Sequence, residues 1–468
     1  MSFTSIDRRY GALALIVIAQ FMVVLDVSIV NVALDALKRS LHFSEGGLQW
    51  VITSYAIVFG GFLLLGGRLA DLYGRRRVFS IGVGVFVLGS ALCGLAWSSG
   101  SLIAFRALEG FGGALFAPAG LSLLMTAFPE GNGRSRAIAI WGAASGSGGA
   151  AGVLLGGVLT SYTSWPWIFL INVPFGLAII ALTPRLVTEA RQFAAPRHFD
   201  VAGAVTVTAS LMLFVYAITS SAEHGWGSGW TSAAFAASAG LFALFVGIER
   251  AAAAPLMPLG IFRVRTLAAG NAVTAVLASV AFSTFFLLAL YLQQVLHYSA
   301  AQNGVAFLAI ALTIAVVSNF AGSLTSRFGA RRVLATGLSL ILVALAWLLR
   351  LPAHGHYAAD LLPSFLLLGL GMALSWVPVT IASLAGVAPA DAGIASGISN
   401  TSRQVGGALG LAVVTTIATS GGGYHDAFLA LFGLTVGALV VTAVLLRPRA
   451  AVAPAAMPEE TVALAEAA

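Results

Sequence analysis

A chain of 468 residues, of which 59% are hydrophobic and 9% charged, with a mean hydropathy of +0.96, has too little polar surface to clothe a water-soluble globule. The net charge of +7 rests on 23 arginines and the single lysine Lys38, and its sorting along the chain explains it without any nucleic-acid partner. One cysteine, Cys93, excludes an intramolecular disulfide and redox-pair chemistry. The first apolar segment follows Asp7, Arg8 and Arg9, outruns a signal peptide and lacks a small-residue cleavage site, so it reads as a retained first helix. Spans are then expected near Gly11, Leu48, Val78, Ser101, Ala137, Trp167, Val201, Ser232, Leu267, Val305, Val333, Leu361, Val405 and Ala427. Each apolar run is about 18 to 25 residues, and about 20 suffice to cross roughly 30 Å of hydrocarbon. The runs are continuous, as from Leu338 to Leu349, and do not alternate as β-barrel strands do.

Loop charge tests that count, because cytoplasmic loops hold the excess of arginine and lysine. With the N-terminus inside, the same face receives Arg8, Arg9, Arg68, Arg75 to Arg77, Arg134, Arg136, Arg185, Arg191, Arg197, Arg250, Arg263, Arg265, Arg327, Arg331, Arg332, Arg403, Arg447 and Arg449. Only Lys38, Arg39 and Arg350 fall on the other face, and Arg106 stays within a span. Trp50, Trp97, Trp165, Trp167, Trp226 and Trp230 cluster at the expected outer ends, where amphipathic rings prefer the headgroup level.

GRLADLYGRRRV, from Gly67 to Val78, returns as GSLTSRFGARRV from Gly322 to Val333. Both copies fall in a turn between spans, so the expected fold is an all-α membrane protein of two six-helix halves with two inserted helices, fourteen in all, with both termini cytoplasmic. The expected division is 1–184 for the first half, 185–265 for a linker with the inserted pair, 266–449 for the second half and 450–468 for a disordered tail.

These motifs together resemble the major facilitator superfamily, in its fourteen-helix drug:proton antiporter branch of EmrB/QacA type. The first helix carries LDVSIVNVAL, from Leu25 to Leu34, similar to that branch's signature. Gly67 to Arg77 resembles the superfamily's cytoplasmic loop motif, Arg106 with Gly110 and Gly112 its fourth-helix motif, and WIFLINVPFG, from Trp167 to Gly176, the opening of its sixth helix. The glycines of the fifth segment, among them Gly148, Gly152, Gly156 and Gly157, resemble the antiporter motif. Departures from the family's pattern are Val153 for proline, Glu109 for glutamine and Pro166 for arginine. The resemblance implies proton-coupled export of hydrophobic or amphiphilic small molecules across the bacterial inner membrane, by a working monomer and without a cofactor.

Charge at bilayer depth costs at least about 2.5 to 3.5 kcal/mol on insertion scales, so it needs a partner or a function. Asp26 falls about 22 Å along the first helix and Arg106 about 8 Å into the fourth from the other side, at similar depths. Asp26 is the expected proton carrier and Arg106 its partner. Glu109, three residues on, shares a helix face with Arg106 and is either a second titrating site or its neutraliser. Gly67, Asp71, Gly74, Arg75 and Arg76 form an expected cytoplasmic latch. Gly148, Gly152, Gly156 and Gly157 form a close-packing surface. Asn31, Phe111, Phe116, Met125, Phe282 and Phe286 are assigned to a mostly apolar cargo cavity. The histidines form no metal constellation, no Gly-Lys-Ser/Thr loop points to ATP, and no catalytic constellation points to an enzyme. A narrow-specificity exporter and a transporter-like receptor without flux are the competing readings.

Overall fold

The computed structural model describes residues 5–128, 132–187, 200–252, 255, 259–352, 355–384, 387, 392–419 and 423–445, and at some helical positions, among them Arg68 and Asp71, the backbone alone. The described residues form helices and turns without a strand. The helices are α1 (Ser5–Leu41), α2 (Glu45–Leu48), α3 (Trp50–Tyr73), α4 (Arg75–Gly94), α5 (Ser99–Ala127), α6 (Asn132–Tyr162), α7 (Trp167–Leu170), α8 (Asn172–Leu186), α9 (Val201–His224), α10 (Gly229–Ala251), α11 (Arg265–Leu290), α12 (Ala300–Phe328), α13 (Ala330–Leu348), α14 (Leu362–Leu384), α15 (Ala392–Ile417) and α16 (Gly423–Leu445). Single π-helical turns extend α11 at Tyr291–Val295 and precede α14 at Tyr357–Leu361.

Twelve of these segments are long and apolar enough to cross a membrane among the described residues. The other two expected spans coincide with α6 and α15, of 31 and 26 residues. One boundary needs correction. A span expected from Val405 begins at Ala392, so Arg403, assigned above to a loop, lies inside α15. The polar stretch Ser399 to Gln404 depresses hydropathy there, while Gly406 and Gly410 seat the helix against Ala275 and Ser279 of α11. The tail expected from Ala450 lies outside the described residues.

Serines start several helices by taking up orphan backbone N–H groups: Ser98 at α5, Ser228 at α10 and Ser299 at α12 each accept from the N–H three residues on. Ser98 and Ser299 are completed as reciprocal caps by Ser101 and Gln302. Between α3 and α4, and again between α12 and α13, the chain reverses at a glycine with positive φ, Gly74 (101°) and Gly329 (85°), the same position of the sequence repeat.

The packing repeats as well. α1 packs on α5, α6 and α8, and α11 packs on α14, α15 and α16. α4 lies between α5 and α8 as α13 lies between α14 and α16. Pro118 and Pro378 sit inside the corresponding α5 and α14. The two sets meet through α6 with α12 and α3 with α15, while α9, paired with α10, touches both α3 and α15.

Two buried apolar clusters show where the sets are joined. One runs from Leu25 to Leu41 of α1 into Val280 to Leu292 of α11 and on through α12, α14 and α16. The other holds the first half of α1, from Ala12 to Val23, with α3, α4, α5 and α8, and contains no residue beyond Val187. The sets are therefore joined through apolar contact at the end where α1 finishes, and among the described residues the cluster at the end where it starts draws on the first set alone. Hydrogen bonds add to the seal: Gln293 Nε2 donates to Val32 O at 2.9 Å and its Oε1 accepts from Asp35 N–H at 3.1 Å, and Ala301 N–H donates to Ser161 Oγ at 3.0 Å.

Candidate functional site

The centre of the first set is polar and dry. α5 supplies Arg106 and Glu109, which face one way because they are three residues apart on a helix. α1 supplies Asp26, and all three are at most 1% exposed. The helices can close on these bulky groups because small residues sit beside them. A Cβ on Gly110 would lie 2.5 Å from Tyr55 O, and one on Gly89 would lie 2.8 Å from Glu109 Cα. Close backbone contact at those glycines draws α3 and α4 against α5 and leaves the charged side chains in the gap.

Arg106 Nη1 donates to Asp26 Oδ2 at 2.7 Å and to Glu109 Oε2 at 2.6 Å, so one nitrogen serves two carboxylates. Its Nε donates to Val51 O at 3.0 Å, and its guanidinium carbon lies 4.4 Å from the centre of the Tyr55 ring and 5.6 Å from that of Phe169. Asn172 at the start of α8 donates to Asp26 Oδ1 at 3.4 Å and to Ser90 Oγ at 3.0 Å, and Ser90 in turn donates to Phe169 O at 2.9 Å. Cys93 Sγ reaches Glu109 Oε2 at 3.7 Å, while Glu109 Oε1 makes no hydrogen bond.

With both carboxylates ionised this set carries one surplus negative charge, and one bound proton makes it neutral. A low-dielectric site penalises the uncompensated charge heavily, so the geometry suits a group that gains and loses a proton as its surroundings change. A cavity of about 10 Å³, the room of one water, opens beside Arg106 and is bordered by Tyr55, Phe282 and Gln404. It is the place where the cluster meets the second helix set.

Asp26, Arg106 and Glu109, singled out from the sequence, are thus brought together. Tyr55, Ser90, Cys93 and Asn172 were missed as members. Asn172 was legible as a polar residue in an apolar run, and Cys93 gave no sign of a carboxylate neighbour. Of the residues assigned to the cavity, Phe116 is 1% exposed between Phe79 and Phe86, and Phe286 is wholly buried. Phe111 stands edge-on to Phe62, Met125 is exposed near the end of α5, and Asn31 donates back to Val27 O within α1. Phe282 alone of the six borders the central cavity.

In the turn, a Cβ on Gly67 would meet only Pro118 at 3.7 Å, so Gly67 is not a close contact; that is Gly66, whose Cβ would lie 2.0 Å from Ala114 O. The Asp71 side chain lies outside the described residues. Arg75 opens α4, and Arg76 Nη1 donates to Val187 O at the end of α8 at 3.3 Å. Its counterpart in the repeat, Arg331, donates to Ala443 O near the end of α16 at 2.6 Å. Both arginines take up carbonyls at a helix C-terminus, where positive charge is favoured. Gly148, Gly152 and Gly156 press on Phe21, Leu25 and Ile29 of α1, and Gly157 presses on Ala300 of α12.

A helical bundle with a repeated packing plan and a charge cluster buried at its centre has the build of a membrane transporter. The chain belongs to the Major Facilitator Superfamily, which it matches twice, over residues 16–287 and 271–467. It is 40% identical over 448 residues to the cephamycin export protein CmcT of Amycolatopsis lactamdurans, covering 93% of this chain and 92% of that one. It is 38% identical over 436 residues to the puromycin resistance protein pur8 of Streptomyces alboniger, covering 92% and 86%. Among solved structures, a bacterial homolog of the human lysosomal transporter Spinster, inward-facing and unoccupied, shares the fold at a TM-score of 0.67 and 16% identity, covering 95% of this chain and 99% of that one. The protein is a multi-pass transporter of the bacterial inner membrane.

Proposed function

We propose that this chain is a proton-coupled antiporter that exports hydrophobic or amphiphilic small molecules. The observation that carries the reading is the Asp26–Arg106–Glu109 cluster, in which one buried guanidinium nitrogen holds two carboxylates and a single proton restores neutrality. Relatives named for export of, or resistance to, antibiotics support the direction of transport. Asp26 carries the proton, Arg106 holds it in place, and Glu109 takes the proton in the other conformation.

The chain has fourteen spans, with α6 and α15 completing the set and both termini cytoplasmic. Residues 1–184 and 266–449 form the halves, and 185–265 carries the inserted pair α9 and α10. In that orientation the seal around Gln293 is periplasmic, and the conformation is closed on that side. Gly67, Asp71, Gly74, Arg75 and Arg76 form the cytoplasmic latch of the opposite state. Asn31, Phe111 and Met125 stay with Phe282 as cargo-facing residues. The monomer is the working unit, since one chain holds both halves; no cofactor or catalytic step is involved.

The test is proton release from everted vesicles with an acidified interior, on addition of lipophilic cations and neutral amphiphiles. Wild-type protein releases protons and Asp26→Asn does not. Undiminished release by a correctly inserted Asp26→Asn protein removes Asp26 from the proton path.

A further inference from the structure

Arg403 lies within α15, a helix read here as a span, and the proton machinery does not use it. It is the middle of α15, on the face that carries Gly406, Gly407 and Gly410, and those glycines press on Ala275, Phe282 and Ser279 of α11. The face therefore looks into the bundle. Register with α11 places Arg403 about one turn below Ala275, roughly 10 Å from where α11 starts. Among the described residues its partners are neutral: Nη2 donates to Asn400 Oδ1 at 2.7 Å, and the guanidinium carbon lies 5.9 Å from the centre of the Trp376 ring on α14. Arg106, which is 1% exposed, has two carboxylates. Arg403 has no carboxylate within ion-pair distance among the described residues, and its side chain is exposed.

An exposed guanidinium on the inward face of a span, with only an amide oxygen and a π face beside it, has most of its N–H groups unspent. Its planar fork matches a carboxylate or similar oxyanion, and Trp376 beside it offers a flat apolar surface. We infer that Arg403, with Trp376 and Asn400, is the recognition site for an acidic group on the cargo, so that the exported class includes amphiphilic organic acids with a planar apolar body. The inference rests on the export reading and specifies its cargo. Balancing the surplus charge of the Asp26 cluster is the competing role for Arg403, and it predicts something different: its loss would then affect every cargo alike.

The experiment measures equilibrium binding to full-length protein in an uncharged maltoside detergent, using 2-naphthoate and its methyl ester. These probes differ by one negative charge and share the apolar body. Wild-type protein is expected to bind the acid at least about tenfold more tightly than the ester, as a charge-assisted hydrogen-bonded pair allows. Arg403→Gln removes that preference and leaves the affinity for the ester unchanged, which also shows that the variant is folded. Arg403→Lys, which keeps the charge without the fork, retains part of it. Equal binding of acid and ester by wild type, or no binding of the acid, overturns the inference without needing any variant. An equal loss of both probes in Arg403→Gln overturns it in favour of charge balance. Failure of the export reading has a separate signature, absence of proton release by any cargo in energised vesicles, and does not touch the acid-to-ester ratio.

Discussion

Arg106 bonds through Nε and Nη1 at once, to a backbone oxygen and to two carboxylates, and that division of labour sets what its replacement does. Arg106→Gln leaves two carboxylates facing each other in a dry site, and a loss of about 3 to 5 kcal/mol is expected, read as a lowered unfolding temperature of the purified protein. Arg106→Lys should not rescue it, because a point charge cannot reach Val51 O and both carboxylates together. Cys93, wholly buried beside Glu109, should resist N-ethylmaleimide in the folded protein and react on denaturation; labelling of the folded state would show that water reaches the cluster. At this scale the sequence displayed the charged members, since a charge in an apolar run is conspicuous. It hid Tyr55 and Ser90, because a serine or a tyrosine in a span is common and only the fold decides which of them turn toward the cluster.

Helices α1 and α6 touch along a glycine stripe in which Gly152 is the tightest point, where a Cβ would come within 2.6 Å of Leu25 O. Gly152→Val should push α6 off α1 and destabilise by about 1 to 3 kcal/mol as overpacking does, with transport falling in step; an unchanged unfolding temperature would show that the contact is loose. The stripe was legible as small residues at four-residue spacing, and the turn glycines Gly74 and Gly329 were legible from the repeat. Two element-scale features were not. The start of α15 is concealed by the polar run before Gly406, since hydropathy scores composition and not the neighbour against which a helix packs. The π-helical turn Tyr291–Val295 has no composition of its own, yet it is the turn that delivers Gln293 to α1.

Between the two halves, Gln293 spends both ends of its amide on the backbone of α1, and these bonds must break whenever that end opens. Two hydrogen bonds at about 1 kcal/mol each shift a two-state equilibrium by roughly tenfold or more when removed. Gln293→Leu is therefore expected to favour the outward-open state, seen as a longer distance between spin labels at Arg39→Cys and His297→Cys, which line the basin of about 820 Å³ above the seal. An unchanged distance distribution would assign the seal to apolar contact alone.

The helix α9 has a further consequence. It lies over the crossing of α3 with α15, where Thr416 Oγ1 donates to Ile218 O at 3.3 Å and Gly61 backs onto Thr208, while α1 touches both α6 and α12 from the inner side. Among the described residues, a helix from outside the two sets thus covers one of their crossings and none covers the other. The two crossings differ in what a molecule arriving through the bilayer would meet, and the transporter has a front and a back in the plane of the membrane that its internal repeat would not by itself require.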